Sequence, residues 1–229
     1  AALREFHGVL DDYALLRDKK LTREISVVNG EDIVVPPVSW EQVRLPHGMA
    51  EDIRASVEGF FRGRERYREL AIPYRRGFLF TGPPGCGKTL TLKALANTTQ
   101  ANFFTVLTRA HVNEDEIHWA FSLAAKSSPS VLILEDLDRL VESPRLSMSF
   151  LLNVLDGLKE IDGLLVVATS NNPGKLDPAL LHRPSRFDRV WRFPLPDEDQ
   201  RRMLLRSKGR PYFSEGALDR VAHHSEGFS

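Results

Sequence analysis

The stretch Gly82-Pro83-Pro84-Gly85-Cys86-Gly87-Lys88-Thr89 decides how this chain is read. It follows a short apolar run, Phe78–Thr81, and opens a segment of helical character, Lys88–Asn97. The spacing G-x-x-x-x-G-K-[ST] between a strand and a helix is one that wraps a phosphate. Glycines let successive backbone N–H groups curl inward without a Cβ clash, and the helix start adds orphan amide donors and partial positive charge. Lys88 sets an ammonium against β- and γ-phosphates, and the Thr89 hydroxyl is suited to ligate Mg²⁺. Gly82 to Thr89, with Leu90 beside them, are therefore the expected nucleotide contacts. Cys86 fills a variable position of the loop and is expected to pack inertly.

Outward from this stretch the chain alternates. Strands are expected at Phe103–Leu107, Val131–Leu134, Leu164–Thr169 and Val190–Phe193, and helices at about 113–126 and 147–158. Asn113 and Glu116 have capping-box spacing, with Ile117, Ala120, Phe121 and Ala124 as the apolar stripe. Continuously apolar strands alternating with amphipathic helices indicate a parallel sheet covered on both faces. Upstream, a helix is expected at about Met49–Tyr67, where Ile53, Val57, Phe60 and Phe61 recur at helical spacing. Before it, Leu3–Lys20 has helix-like spacing, and Ile25–Val28 and Ile33–Val35 flank Asn29-Gly30 as in a short hairpin. Residues 1–37 thus read as a separate small element or linker, 38–196 as an α/β domain, and 197–229, with two polar helices, as the start of a helical appendage.

Two strand ends carry chemistry. Leu134 is followed by Glu135-Asp136, at the spacing of a second motif in the same sheet. There one carboxylate holds Mg²⁺ and the other deprotonates the attacking water. By position Glu135 faces the metal together with Thr89 and Asp136 is the base, although the order of the acids leaves the assignment open. Leu164–Thr169 ends in Ser170-Asn171-Asn172, and Asn171 is the side chain chosen to sense the γ-phosphate or the attacking water. Further on, Arg186-Phe187-Asp188-Arg189 looks built to present guanidinium groups across a subunit boundary.

Composition sets bounds around these motifs. Lys plus Arg number 31 and Asp plus Glu 31, so the formal net charge is zero and the usual argument for nucleic-acid binding is missing. The one cysteine rules out an internal disulfide, which suits a reducing, cytoplasmic setting. No apolar run reaches the roughly 18–20 residues of a membrane span, although an anchor outside this segment is compatible with the sequence.

Gly-Pro-Pro-Gly-Cys-Gly-Lys-Thr, Leu155-Asp156-Gly157, Leu176-Asp177-Pro178-Ala179-Leu180-Leu181 and Arg186-Phe187-Asp188-Arg189 together resemble the AAA clade of AAA+ ATPases, from about Trp40 to Ser229. Within it, Ile72-Pro73-Tyr74-Arg75-Arg76-Gly77 and Leu134-Glu135-Asp136-Leu137-Asp138 are similar to the branch containing the mitochondrial Rieske-protein translocase. The resemblance implies a P-loop αβα core with a five-stranded parallel sheet and a helical lid, here incomplete. It implies ATP or ADP with Mg²⁺ as ligands, Asn171 as sensor, Arg186 and Arg189 as fingers reaching the next subunit, and Trp40–Val43 near the adenine. A homo-oligomeric ring, hexamer or heptamer, is implied as well. The chain departs from the clade's pattern in three places. The acids are in the order Glu-Asp, Thr108–Glu116 lacks the aromatic–hydrophobic–glycine loop of unfolding members, and the finger region has one extra residue around His182. The expected function is an ATP-hydrolysing protein remodeller, with a nucleotide-dependent switch or scaffold of little turnover as the alternative. The sequence does not name the substrate.

Overall fold

The computed structural model describes residues 23–108, 112–157, 162–181, 186–209 and 213–228. The expected helix at Leu3–Lys20 and residues His182–Ser185 lie outside them.

Seven strands form one sheet in the order β2-β1-β4-β5-β6-β3-β7. These are β1 (Arg23–Val27), β2 (Ile33–Val35), β3 (Arg75–Thr81), β4 (Asn102–Thr105), β5 (Ser130–Leu134), β6 (Leu164–Ser170) and β7 (Arg189–Arg192). All neighbours are parallel except the β1–β2 hairpin. Strands β5 and β6 are buried along their whole length, as is β3 from Gly77 onward. Helices cover both faces, so alternate side chains enter two separate cores, and the buried polar residues of these strands, Thr81, Thr105, Ser130, Thr169 and Ser170, sit at strand ends.

On one face Leu79, Leu132, Leu134, Val166 and Ala168 meet α4 (Glu114–Lys126), through Ile117, Ala120, Phe121 and Ala124, and α6 (Met148–Asp156), through Leu151 and Leu155. On the other, Phe78, Phe80, Ile133 and Val167 meet α1 (Met49–Arg62), through Ile53, Val57 and Phe60, and α3 (Lys88–Thr98), through Leu92 and Leu95. The capping box at α4 is formed: Asn113 Oδ1 accepts from the Glu116 amide at 2.9 Å and Glu116 Oε2 from the Asn113 amide at 3.0 Å.

The sheet has seven strands rather than the expected five. The expected separate hairpin is hydrogen-bonded to it: Ser26 and Val27 pair with Phe104 and Thr105 of β4, and Ile25 and Val35 are buried in the α1/α3 core. At the hairpin turn, Asn29 donates Nδ2–H to the Leu107 carbonyl (3.2 Å), and its Oδ1 accepts from the Leu107 amide (2.9 Å). One side-chain amide thereby completes the end of β4 as a strand partner would.

The helix expected at 49–67 is divided at Gly63 into α1 and α2 (Arg64–Glu69). The one-turn helices α5 (Leu137–Leu140) and α7 (Pro178–Leu181) follow the acidic pair and precede the arginine segment. At the end of the chain, α8 (Glu198–Gly209) and α9 (Glu215–His224) pack together, with Arg201 donating Nε–H to the Ala222 carbonyl at 3.0 Å. Among the described residues no helix is long and apolar enough to cross a membrane.

Candidate functional site

Strand β3 stops at Thr81 because the next residue turns into a conformation open only to glycine: Gly82 has φ +145°, and a Cβ there would collide with the Phe193 carbonyl of the segment following β7. Gly85 and Gly87 are also left-handed, and Gly87 caps α3. The loop folds over its own lysine. Lys88 is buried, and its ammonium donates to the carbonyl oxygens of Gly82 (2.6 Å) and Pro83 (2.8 Å). Burial holds its pKa below the ordinary lysine value, against the opposing pull of Cys86, Asp136 and Asp138. A buried ammonium satisfied only by two neutral carbonyls, beside the start of a helix, is chemistry that suits an anion. Cys86 is buried in the α1/α3 core, and burial pushes its thiol pKa up, which makes it inert.

Thr89, on the first turn of α3, donates its hydroxyl to Glu135 Oε1 at 2.8 Å. Among the described residues no group of three or more His, Cys, Asp or Glu side chains is arranged to hold a metal. A hydroxyl and a carboxylate oxygen side by side are nonetheless the hard donors that suit Mg²⁺, an ion that keeps several waters and shares substrate phosphates. These two residues fit it.

The acidic turn is held from several sides. Asp136 lies at φ +50°, ψ +53°, a left-handed conformation unusual for a residue with a Cβ. Its amide donates to Thr169 Oγ1 at 3.0 Å, and its carbonyl starts α5 by accepting from Arg139 and Leu140. Asn171 donates Nδ2–H to Asp136 Oδ1 at 2.7 Å, while the Asn171 amide donates to Asp138 Oδ1 at 3.1 Å. The Glu135 carbonyl accepts from the Thr108 hydroxyl at 2.7 Å, tying in the loop that follows β4. Sequence reasoning missed Thr108, Asp138 and Thr169. The buried Asp138, two residues past the acid pair, carried the one readable signal.

The arginines are engaged within the chain. Arg186 is buried and forms a two-pronged ion pair with Asp156 (Nη2–Oδ2 2.7 Å, Nε–Oδ1 3.2 Å), and it also donates to the Ala179 carbonyl. Arg189 reaches both Asp52 oxygens (3.1 and 3.2 Å) and the Ser56 hydroxyl on α1, and lies 4.9 Å from the Trp191 ring centroid. Neither is hydrogen-bonded to the Lys88–Thr89–Glu135–Asp136–Asn171 cluster. Val43 is buried against Val38 and Ala94, with Trp40, Leu45 and Leu90 packed around it. It lines a cleft of about 360 Å³ with Trp40, Leu45, Pro46, His47 and Arg54, and Leu45 lies next to Gly87.

A family model described as "ATPase family associated with various cellular activities (AAA)" matches residues 78–195. The chain is 34% identical over 224 residues to a proteasome-activating nucleotidase of Methanothermobacter thermautotrophicus, covering 89% of this chain and 54% of that protein. It is 34% identical over 216 residues to a cell division cycle protein 48 homolog of Archaeoglobus fulgidus (86% and 29%). To the ribosome biogenesis ATPase RIX7 of Saccharomyces cerevisiae it is 32% identical over 210 residues (84% and 25%). The chain spans between about a quarter and a half of these relatives' lengths.

Proposed function

The chain belongs to the AAA family of ATPases, and on that premise we propose that its phosphate loop and acidic turn form the ATP-hydrolysing site of an oligomeric protein remodeller. The observation that carries this reading is the pairing of functions across the loop: Thr89 with Glu135, and Asn171 with Asp136. ATP is the substrate. Its phosphates replace the Gly82 and Pro83 carbonyls on the Lys88 ammonium, with the loop amides of residues 82–89 around them and Val43 beside the adenine. Mg²⁺, when bound between Thr89 and Glu135, supplies charge neutralisation at the phosphates. Asp136 takes the proton of the attacking water, and Asn171 orients that carboxylate through its 2.7 Å hydrogen bond.

Arg186 and Arg189 are paired within the chain, with Asp156 and Asp52, and neither reaches this chain's own phosphate loop, so acting on a neighbour requires those pairs to open on assembly. The extra finger residue favours the switch alternative. We read the arginine segment as acting on a neighbouring subunit's ATP in a hexameric or heptameric ring, with α8 and α9 as the start of its lid. The Ile72–Gly77 and Leu134–Asp138 motifs support placement near the Rieske-protein translocase branch. One relative is named for activating the proteasome and another for ribosome biogenesis, which agrees with a remodelling role.

The test is ATP turnover per subunit against protein concentration, with Lys88→Ala as the binding-dead control. A steep rise with concentration supports trans-completed sites. Tight binding without turnover under any assembly condition moves the reading to a nucleotide-dependent switch or scaffold. Glu135→Gln slowing turnover more than Asp136→Asn reverses the base assignment.

A further inference from the structure

The arginine segment leaves the sheet at one defined point. Strand β7 begins at Arg189, opposite Phe78 of β3, and the residue before it, Asp188, grips Gly77 twice. The Asp188 amide donates to the Gly77 carbonyl at 2.8 Å, and Asp188 Oδ2 accepts from the Gly77 amide at 2.9 Å. The carboxylate thus stands in for the backbone carbonyl that a longer β7 would have offered. The next step toward the loop is pressed onto the same residue: a Cβ on Gly77 would collide with the Arg186 carbonyl and crowd the Phe187 Cα. Arg186 therefore departs from a fixed height on β3, while its guanidinium is held by Asp156 and Ala179. None of the hydrogen bonds that hold the phosphate loop or the acidic turn runs through Gly77 or Asp188.

We propose that the Gly77–Asp188 clasp sets the position of the trans-acting arginine segment, which makes Asp188 a positioning residue for a neighbour's active site rather than for its own. This rests on the reading that the arginine segment acts across the subunit boundary. The absence of Cβ at residue 77 and the two-point grip of residue 188 together fix where the segment begins, and an error there displaces the backbone from which the Asp156-held guanidinium must swing to reach a neighbour. Rates of positioned reactions are sensitive to misplacement of about 1 Å.

The experiment uses full-length assemblies and mixed subunits. Asp188→Ala is expected to bind a fluorescent ADP analogue within about twofold of wild type but to turn over ATP at least about tenfold more slowly, while Asp188→Asn, which keeps an acceptor for the Gly77 amide, stays within about threefold. Mixing Asp188→Ala with a Glu135→Gln/Asp136→Asn double variant is the decisive arm, because each subunit then lacks what the other has. With random mixing about half the subunits are hydrolysis-competent and about half of those face an intact neighbour, so turnover returns to about a quarter of wild type. Wild-type turnover by Asp188→Ala overturns the proposal. So does failure of this mixture to complement when Arg186→Ala mixed with the same double variant does complement. If neither mixture complements, the trans-acting reading itself is wrong. Asp188→Glu, which keeps the charge but lengthens the arm, carries the same comparison should Asp188→Ala not fold.

Discussion

Replacing Asn171 by alanine tests the acidic turn most directly. Asn171 donates one hydrogen bond to the Asp136 carboxylate at 2.7 Å and is otherwise tied to the turn by its backbone amide, which the substitution keeps. A hydrogen bond to a charged acceptor contributes about 1.5–3 kcal/mol. The Asp136 side chain is 33% exposed, so solvent takes up part of the loss and about 1–2 kcal/mol is the fitting range. At about 1.4 kcal/mol per factor of ten, turnover should fall by about 5- to 30-fold if Asp136 must be held to act. Nucleotide affinity should move by less than about twofold, because Lys88 and the loop amides are untouched. Steady-state turnover by phosphate release, together with equilibrium binding of a fluorescent ADP analogue, separates the two. Asn171→Asp should be worse than alanine: two carboxyl groups at hydrogen-bond distance cannot both stay ionised, so they share a proton and Asp136 is weakened as a base. Equal losses in affinity and turnover, or unchanged turnover in Asn171→Ala, would refute the assignment of Asn171 to Asp136.

Three further outcomes are expected. Burial depresses the Lys88 pKa in the free protein, and phosphate favours the ammonium, so nucleotide binding at alkaline pH should take up protons. Calorimetry in buffers of different ionisation enthalpy detects this, and Lys88→Arg should abolish it. Asp188 is exposed as a residue, yet desolvation of its carboxylate, clasped onto Gly77, raises its pKa against the Gly77 amide and the Arg76 and Arg75 charges. Because the folded pKa is raised, the carboxylate's contribution to stability is fully present below the usual Asp range and declines as pH rises through the folded value. Asp188→Asn should therefore gain stability relative to wild type between pH values below and above that window, as urea midpoints would show. Phe80 is fully buried against Trp191 and Phe193. Phe80→Ala should cost about 3–5 kcal/mol, which at about 2–4 °C per kcal/mol lowers Tm by about 6–20 °C in calorimetry or circular dichroism.

What was legible in the sequence was what local pattern encodes. The phosphate loop, the buried strands and the Asn113–Glu116 cap each depend on residues close together in the chain, so spacing and apolarity exposed them. The misreadings arose where distant residues decide. Nothing near Ser26 announces a partner 78 residues away at Phe104, so from sequence alone the hairpin reads as a separate element. Gly63 sits inside an apolar period that runs through it, which hid the break between α1 and α2. Asp138 resembled an ordinary polar residue on a turn until Asn171 was placed above it. The partners of Arg186 and Arg189 within the chain, Asp156 and Asp52, lie 30 and 137 residues away, beyond the reach of local pattern. Gly77 was noted only as part of a motif, since the chain that crosses it arrives more than a hundred residues later.

The side-chain amide of Asn29 links the hairpin to the edge of the site. Its two hydrogen bonds to Leu107 fasten the hairpin turn to the backbone just before Thr108, whose hydroxyl grips the Glu135 carbonyl. The hairpin is also held to β4 by the Val28 amide on the Thr105 carbonyl (3.0 Å), so the hairpin turn, the end of β4 and the acidic turn share one hydrogen-bonded edge. Asn29→Ala would remove only the side-chain clamp, leaving the Leu107 amide to exchange with solvent while β4 and β5 stay protected.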